Sequence, residues 1–270
     1  MGDILAVVVL YESDLFQCST YKSLLEYCGL TVFVYDNSRI SRISQELPDH
    51  YIYVHNPNNA GVSAAYNRAS QYALVNGFEW ILILDQDTIF PHDIISEYRK
   101  AICSNPEIQL FAPLIKIDDE YYLSPSIKKH RVSHLTKQAV LGKLELSKFA
   151  VINSGMLIQI KAFFACGGYN EKVWLDFSDH QFTERFQKHS LYFYVINAVC
   201  FQNFSNQSHN VEGLVARYGM FCSSLKYCEK SSVTDHLEYL WIVWKRACSL
   251  ILRTRKVIFI KIFFKDYLGS

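Results

Sequence analysis

The sequence has eight cysteines, yet it contains no C-x-x-C pair and no spacing typical of a zinc ribbon. This excludes the common cysteine-based zinc sites and redox pairs, and it favours reduced thiols packed as small hydrophobic side chains. No overall charge points to a nucleic acid partner, because 27 Lys and Arg balance 26 Asp and Glu. The first apolar run, residues 4–11, lacks the basic start and the cleavage site of a signal peptide, so we expect a cytoplasmic protein.

Long apolar runs are also missing, and no stretch approaches the roughly 20 residues that a membrane-spanning helix needs. Residues 241–268 instead mix large apolar side chains with seven Lys and Arg, against one acid, Asp266. We expect this C-terminal segment to be helical. It either lies on an anionic membrane surface or packs its apolar face on the rest of the protein or on a second subunit.

Short apolar runs rich in β-branched residues alternate with a helical pattern in the N-terminal half. Ala65, Ala69 and Ala73 share one face of a helix predicted over 63–76, with Ser63 as its N-cap. This alternation is typical of an α/β protein with a mixed, largely parallel central sheet flanked by helices. The predicted strands are 4–11, 30–38, 51–59, 80–87, 149–160 and 191–202.

Two carboxylates, Asp85 and Asp87, stand at the end of the predicted strand 80–87. The C-terminal ends of parallel strands meet at one edge of a sheet, where ligands of α/β proteins bind. Carboxylates facing such a cleft suit Mg²⁺ or Mn²⁺, with diphosphate oxygens at the remaining metal positions. Alternatively, both acids are solvated in a turn, or Asp87 caps a helix that begins near Pro91.

Five short motifs follow one another along the chain: VFVYDNS, NNAGVSAAYN, LDQDT, NSGMLI and GGYNEKVWLDFSDHQFTERF. Together they resemble the inverting glycosyltransferases of family 2, whose nucleotide-diphospho-sugar transferase fold is called GT-A. The match spans residues 4 to about 186 and is closest to bacterial rhamnosyltransferase-like members that build surface polysaccharides. We therefore expect a GT-A catalytic domain over 1–235, with a nucleotide-binding half over about 1–110 and an acceptor half over about 111–235. A basic amphipathic helical extension follows over 236–270.

The resemblance implies a set of donor-binding residues at the strand ends. Asp36 would contact the nucleobase or ribose, and Asn59, Gly61 and Asn67 would surround the nucleotide. A glycine at position 61 lets the backbone approach the nucleotide closely, although it can also be an ordinary turn glycine.

The resemblance also implies a divalent cation, Mg²⁺ or Mn²⁺, at the LDQDT motif. Asp85 would reach both the ribose and the cation, and Asp87 would be the direct ligand. A cation stabilises the charge that develops on a diphosphate leaving group without any proton donor. His209, after the last predicted strand, is a further candidate near the metal or the diphosphate; alternatively it is a solvated loop residue.

An inverting transfer needs a base that takes the proton of the acceptor hydroxyl. The family supplies it from an acidic motif six residues before a helical arginine, and counting back from Arg185 places Asp179 there. Gln181 stands where a second acid is usual, and Asp176 in the same loop is a competing base. Asp179 can also be the N-cap of a helix over 180–189, and Arg185 can simply pair with one of these acids.

On the acceptor side the resemblance points to Ser154 and to Trp174, which either stacks on a sugar or packs in the core. We expect a metal-dependent, inverting transfer of one sugar, with rhamnose as a candidate. The donor would be a dTDP- or UDP-sugar, and the acceptor a glycan or a lipid-linked oligosaccharide.

Two rival functions remain at this point. A nucleotidyltransferase also uses aspartates at strand ends, but it normally has a Gly-rich basic loop after the first strand, and LYESDLFQCS offers none. A non-catalytic nucleotide-sugar or glycan-binding module with the same fold is the other rival, and Gln181 is the residue that keeps it open.

Overall fold

The computed structural model describes residues 3–26, 28–202 and 210–269. The strands are β1 Ile4–Leu10, β2 Thr31–Asp36, β3 Tyr51–His55, β4 Trp80–Asp85, β5 Thr88–Ile89, β6 Leu110–Lys116, β7 Tyr122–Lys129, β8 Val132–Thr136, β9 Gly142–Glu145, β10 Phe149–Ala150, β11 Leu157–Gln159 and β12 Tyr192–Gln202. The helices are α1 Gly61–Val75, α2 Ile94–Ser104, α3 Ile160–Ala165, α4 Ser178–Gln187, α5 Val211–Tyr227, α6 Val233–Thr254 and α7 Ile258–Ile262. Short 3-10 or π-helical turns cover Leu15–Gln17, Tyr21–Leu25 and Phe263–Leu268.

The centre of the sheet is parallel. β4, β1, β2 and β3 lie side by side in that order, and the register pairs Val9 with Asp85 and Leu10 with Asp36. The C-terminal ends of β1, β2 and β4 therefore meet at one edge of the sheet. Beyond β4, the strand β11 runs antiparallel between β4 and β6, and β12 runs parallel to β6. This confirms the predicted α/β fold with a mixed, largely parallel central sheet.

The strand β1 is buried on both faces, as its continuous apolar run predicts. Successive side chains of a strand point to opposite faces, so Ala6 and Val8 enter the core that α2 covers, whereas Leu5 and Val7 enter the core that α1 covers. Each fully buried valine or leucine side chain contributes about 1.5 to 3 kcal/mol. The two cores hold the strand ends, and hence the polar residues that follow them, in a fixed arrangement.

Two predicted boundaries are wrong. The helix α1 begins at Gly61, so Ser63 is not its N-cap; the buried Ser63 hydroxyl donates a hydrogen bond to the carbonyl oxygen of Val173 at 2.6 Å. The run 149–160 forms two short strands, β10 and β11, rather than one. Between them Gly155 has a φ of 77° and donates its amide to a carbonyl oxygen of β4 at 2.8 Å, which turns the chain out of the extended conformation.

The C-terminal segment is helical, as predicted, and its apolar face packs inward. α6, α7 and the last π-helical turn form a third core together with α5 and with Val173. Because α5 precedes residue 235, this core crosses the predicted domain division there, and the division itself stays a prediction. None of the described helices is long and apolar enough to cross a membrane.

Candidate functional site

Asp85 stands at the end of β4 and is held from three sides. Its backbone amide donates to Oγ of Ser154 at 3.4 Å, and the hydroxyl of Tyr66 donates to its Oδ1 at 3.5 Å. The hydroxyl of Thr20 bonds to the carbonyl oxygen of Asp85 and, at 2.9 Å, to that of Thr88. Strand, helix and loop thus fix the direction in which the carboxylate points.

Asp87 lies in the turn between β4 and β5, where Nε2 of Gln202 donates to its Oδ1 at 3.4 Å. The predicted alternative, in which Asp87 caps the next helix, is wrong, because α2 begins at Ile94 with Asp93 in the N-cap position. The Asp87 carboxylate is therefore free of a capping role.

The carboxylates of Asp85, Asp87 and Asp179 crowd the edge of the sheet with negative charge. Burial, together with the charges of Asp87 and Asp179, raises the pKa of Asp85 to about 7. Burial also raises the pKa of Asp87. Among the described residues, no lysine or arginine forms an ion pair with any of the three. The arrangement therefore favours a cation.

The raised pKa of Asp85 predicts a pH-dependent stability. Folded Asp85 holds its proton up to about pH 7, whereas an ordinary aspartate releases it near 3.8. Between these values the folded state binds more protons, so the free energy of unfolding falls as pH rises, by up to about 4 kcal/mol. Asp85→Asn should remove this slope in urea unfolding at pH 5 and pH 8 with EDTA present. Asp93→Asn, an exposed control, should keep the slope; an unchanged slope in Asp85→Asn would contradict the assignment.

Asp179 lies in the first turn of α4, which begins one residue earlier at Ser178. The N-cap position belongs to Phe177, whose backbone is left-handed with a φ of 66°, so the predicted N-cap role of Asp179 is wrong. Its Oδ1 accepts a hydrogen bond from the backbone amide of His180 at 2.7 Å. The structure brings Asp179 into electrostatic range of Asp85, although the two are far apart in sequence.

Asp176 is in a different environment. Its Oδ1 accepts a hydrogen bond from the guanidinium of Arg217 at 2.7 Å, whereas its Oδ2 is buried without a partner among the described residues. Burial raises the pKa of Asp176, and the charges of Arg217 and Arg246 oppose that increase. This carboxylate ties the loop to α5.

Arg185 pairs with Glu229 at 2.8 Å and donates to the carbonyl oxygens of Gly167 and Gly168. The alternative in which Arg185 pairs with one of the loop acids is therefore wrong. Gln181 is buried, and its Oε1 accepts the backbone amide of Glu229. Arg185 and Gln181 thus fasten α4 to the segment between α5 and α6.

Gly61 and Trp174 join the start of α1 to the loop that precedes α4. The amide of Val62 donates to the carbonyl oxygen of Trp174 at 3.0 Å, and the indole N–H of Trp174 donates to the carbonyl oxygen of Asn59 at 2.9 Å. A Cβ at Gly61 would lie 2.4 Å from the indole, and the φ of Gly61 is 85°. The close approach here is therefore to Trp174, and the predicted nucleotide contact of Gly61 stays a prediction.

Gly61→Ala should destabilise the protein by at least about 2 kcal/mol, because it adds both backbone strain and a clash with Trp174. Gly77→Ala is a matched control, since Gly77 has a similar φ of 78° but nothing within 4 Å of an added Cβ. Urea unfolding should give Gly61→Ala a clearly lower free energy of unfolding than Gly77→Ala. Equal stability of the two variants would mean that the contact with Trp174 contributes nothing.

Three other predicted residues lie close to the site but are engaged within the protein. Asn67 donates to the carbonyl oxygen of Tyr169 at 3.0 Å. Asp36 is fully buried and accepts hydrogen bonds from Ser38 and Tyr53. Ser154 is also fully buried beneath Asp85, and its hydroxyl donates to Thr88 at 2.8 Å, so in this structure it is not exposed to an acceptor. Their ligand contacts stay predictions, and His209 lies outside the described residues.

Sequence reasoning missed the residues that connect the carboxylates. The rings of Tyr66 and Tyr169 lie 5.1 Å apart, and the hydroxyl of Tyr169 donates to Asn153 at 2.8 Å. Asn153 in turn donates to the hydroxyl of Ser178, at the start of α4, at 3.0 Å. All three stand inside the quoted motifs, Tyr66 in NNAGVSAAYN, Asn153 in NSGMLI and Tyr169 in GGYNEKVWLDFSDHQFTERF, but no local pattern indicates that they contact one another.

The fold is that of GT-A glycosyltransferases. The structure of the mannosyltransferase PcManGT from Pyrobaculum calidifontis in complex with GDP-Man and Mn²⁺ matches with a TM-score of 0.56 at 12% identity, over 97% of this chain and 80% of that one. The structure of GalNAc-T7 with UDP, GalNAc and Mn²⁺ matches with a TM-score of 0.54 at 10% identity, over 93% of this chain and 58% of that one. TarS of S. aureus matches with a TM-score of 0.52 at 11% identity, over 92% of this chain and 44% of that one.

Residues 19–165 match the sequence model of glycosyl transferase family 2, which is more than half of the chain. The chain therefore belongs to glycosyl transferase family 2, and it is a glycosyltransferase. It is also 25% identical over 206 residues to the dTDP-rhamnosyl transferase RfbF of Shigella flexneri, an alignment that covers 72% of this chain and 67% of that protein. These matches agree with the rhamnosyltransferase-like motifs of the sequence.

Proposed function

We propose that this protein moves a sugar from a nucleoside diphosphate donor to a hydroxyl of a glycan acceptor, with inversion at the anomeric carbon. The observation that carries the proposal is the meeting of Asp85, Asp87 and Asp179 at one edge of the sheet. Asp85 ends β4, Asp87 lies in the turn that follows it, and Asp179 comes from the first turn of α4. The three carboxylates supply a cation site and a base within one cleft.

The site fits a divalent cation held mainly by substrate. No group of three His, Cys, Asp or Glu side chains among the described residues is placed to hold a metal ion. Mg²⁺ commonly needs only one or two carboxylates, because phosphate oxygens and waters fill its other positions. Asp87, with Asp85 behind it, would hold the cation, which when bound would neutralise the diphosphate leaving group.

We assign the base to Asp179 rather than to Asp176. The Asp176 carboxylate is committed to Arg217, whereas Asp179 is in an ion pair with no lysine or arginine among the described residues. The role of Asp179 is to take the proton of the attacking hydroxyl, and Asn153 and Tyr169 connect the start of its helix to the donor side. Hydrogen bonds and ring contacts within the protein thus link the proposed base to the residues proposed to bind the donor.

We further propose dTDP-rhamnose as the donor and bacterial surface polysaccharide synthesis as the pathway, on the similarity to the dTDP-rhamnosyl transferase RfbF. The test is to incubate the protein with dTDP-rhamnose or UDP-sugars and a glycan acceptor, with Mn²⁺, Mg²⁺ or EDTA. Metal-dependent release of one nucleoside diphosphate would support the proposal if the NMR spectrum of the product also shows that the anomeric configuration of the transferred sugar is inverted. Transfer with retained configuration, or transfer undiminished in EDTA, would contradict it.

The outer surface of the C-terminal helices supports a peripheral membrane contact. Trp241, Leu252 and Phe264 are 62%, 82% and 57% exposed, and Lys261 and Lys265 of the last helical segment are also exposed. Apolar side chains mixed with basic ones suit the interface of an anionic membrane. Such a contact would place the site near a lipid-linked acceptor.

Changing the four basic residues Arg255, Lys256, Lys261 and Lys265 to Gln should weaken binding to phosphatidylglycerol vesicles by at least about 100-fold at low salt, since each contributes about 1 kcal/mol. A vesicle sedimentation assay measures this. Changing Arg68 and Lys161, which are exposed on α1 and α3, should have little effect. Equal sedimentation of the wild type with anionic and neutral vesicles would exclude the membrane contact.

A further inference from the structure

The N-cap residue of α4, Phe177, has an unusual backbone conformation. Its φ is 66° and its ψ is 8°, in the left-handed region that bulky L-residues seldom adopt. Among the described non-glycine residues with a positive φ, Phe177 is the one with an apolar side chain. Such strain persists only where surrounding contacts hold it, and it is found most often at functional sites. Asp179, the proposed base, is two residues further along the chain.

Aromatic side chains from three helices surround the ring of Phe177, and together the four rings form what we call the ring cage. His180, in the first turn of α4, stacks on Phe177 with ring centroids 4.9 Å apart. Phe221 of α5 and Tyr239 of α6 meet it edge-on, with centroids at 5.8 Å and 6.2 Å. Both arrangements are favourable for aromatic pairs. The contacts of the ring therefore oppose the tendency of the backbone to leave the left-handed region.

The first turn of α4 is also held from the side of the sheet. Asn153 donates to the hydroxyl of Ser178 at 3.0 Å, and Nε2 of His180 lies 3.1 Å from Oγ of Ser133 in β8. The backbone amide of His180 donates in turn to Oδ1 of Asp179 at 2.7 Å. His180 thus connects the cage to the carboxylate, because its ring belongs to the cage and its amide holds the carboxylate.

The left-handed turn sets the direction in which the chain enters α4. The carbonyl oxygen of Phe177 already accepts the backbone amide of Gln181, at 2.9 Å. The φ and ψ of Phe177 therefore fix the angle between the preceding loop and the helix. A change of this residue to a right-handed or extended backbone would rotate the first turn, and the carboxylate of Asp179 with it.

We propose that Phe177 is a positioning residue for Asp179, and that the ring cage holds its backbone left-handed so that the carboxylate points at the acceptor hydroxyl. The inference rests on the proposed role of Asp179 as the base. It adds a function for the C-terminal helices, because Phe221 and Tyr239 complete the cage. Phe177 itself touches neither substrate nor cation in this account.

The test separates the ring of Phe177 from its backbone conformation. Phe177→Ala removes the ring and keeps the steric cost of a left-handed backbone, whereas Phe177→Gly removes both. We expect kcat per folded protein to fall about tenfold to 100-fold in Phe177→Ala, as for a displaced catalytic group. Phe177→Gly should recover about threefold or more of that loss. Phe177→Leu, a milder change that serves if Phe177→Ala does not fold, should lie between Phe177→Ala and the wild type.

The affinity for dTDP with Mn²⁺ should be equal in the wild type and in all three variants, so that kcat changes alone. Crystal structures should show the Asp179 carboxylate displaced relative to β4 in Phe177→Ala and closer to its original place in Phe177→Gly. The matched control is Phe263→Ala, which removes a buried ring of the same core that contacts Trp244 and Tyr267. It should lower the free energy of unfolding and leave kcat per folded protein unchanged.

Three results would overturn the positioning role of Phe177. They are an unmoved Asp179 in the crystal structure of Phe177→Ala, equal kcat in Phe177→Ala and Phe177→Gly, and an equal loss of kcat in Phe263→Ala. A wild type that neither binds dTDP nor transfers a sugar would instead overturn the proposed function. The crystal structures would still decide whether Phe177 places Asp179, because that measurement needs no activity.

Discussion

Asp179→Asn is expected to lower kcat by about 10²- to 10⁴-fold, the range that a general base contributes. The amide that replaces the carboxylate cannot take the proton of the acceptor hydroxyl, but it can keep the hydrogen bond from the His180 amide. Donor binding should be retained, because Asp179 is not among the residues that we propose to contact the donor. Steady-state transfer assays and dTDP titration measure the two effects separately.

Asp176→Asn serves as the comparison. It weakens the ion pair with Arg217 and so loosens the loop from α5. The free energy of unfolding should therefore fall, whereas kcat should change little. At equal folded fractions, Asp179→Asn should lower kcat far more than Asp176→Asn does. If Asp176→Asn, still folded, lost the larger part of kcat and Asp179→Asn kept it, the base would be Asp176.

Asp87→Ala is expected to weaken metal-dependent binding of dTDP by about 100-fold or more, because it would remove the carboxylate that we propose as the direct ligand of the cation. The same change should raise the apparent melting temperature without ligand, since the charge of Asp87 contributes to the raised pKa of Asp85. Calorimetric titration of dTDP with Mn²⁺ and with EDTA measures the binding, and a thermal melt measures the stability.

The matched variant is Gln202→Ala, which removes the hydrogen bond to Asp87 Oδ1 but leaves the carboxylate. Its expected loss of dTDP affinity is about tenfold, as for an outer-shell partner of a metal ligand. Retained metal-dependent binding in Asp87→Ala would remove the metal assignment. We expect Asp87→Ala to bind dTDP equally weakly with Mn²⁺ and with EDTA. This weak affinity should equal the affinity of the wild type in EDTA.

Local sequence signals were sufficient to predict the first four strands and the edge of the sheet where their polar ends meet. The continuous apolar run of β1 requires cover on both faces, and Asp85 and Asp87 directly follow such a run. Parallel pairing then places strand ends side by side without further information. The positions of the donor-side acids were therefore predictable, although their pKa values depend on burial and on Asp179.

Contacts between distant segments were not predictable. The bond from Trp174 to Asn59 joins residues 115 positions apart, and that from Arg185 to Glu229 joins residues 44 positions apart. No local pattern encodes either partner, and a nearer acid was only one alternative for Arg185. The single strand predicted over 149–160 is wrong for a related reason. The chain turns at Gly155, which packs so closely on Pro113 that an added Cβ would lie 2.5 Å from it, and no local pattern encodes that contact.

The measurement that tests the central claim most directly is a thermal-shift series with dTDP, UDP, GDP and CDP, each with Mn²⁺, Mg²⁺ or EDTA. A ligand at about 100 times its dissociation constant stabilises the folded protein by about 2.7 kcal/mol, which raises the melting temperature by a readily measured amount. The account predicts a shift with dTDP that needs the cation and that disappears in Asp87→Ala. No shift with any diphosphate, or one that is equal in EDTA, would contradict the claim that Asp85 and Asp87 form a cation-dependent donor site.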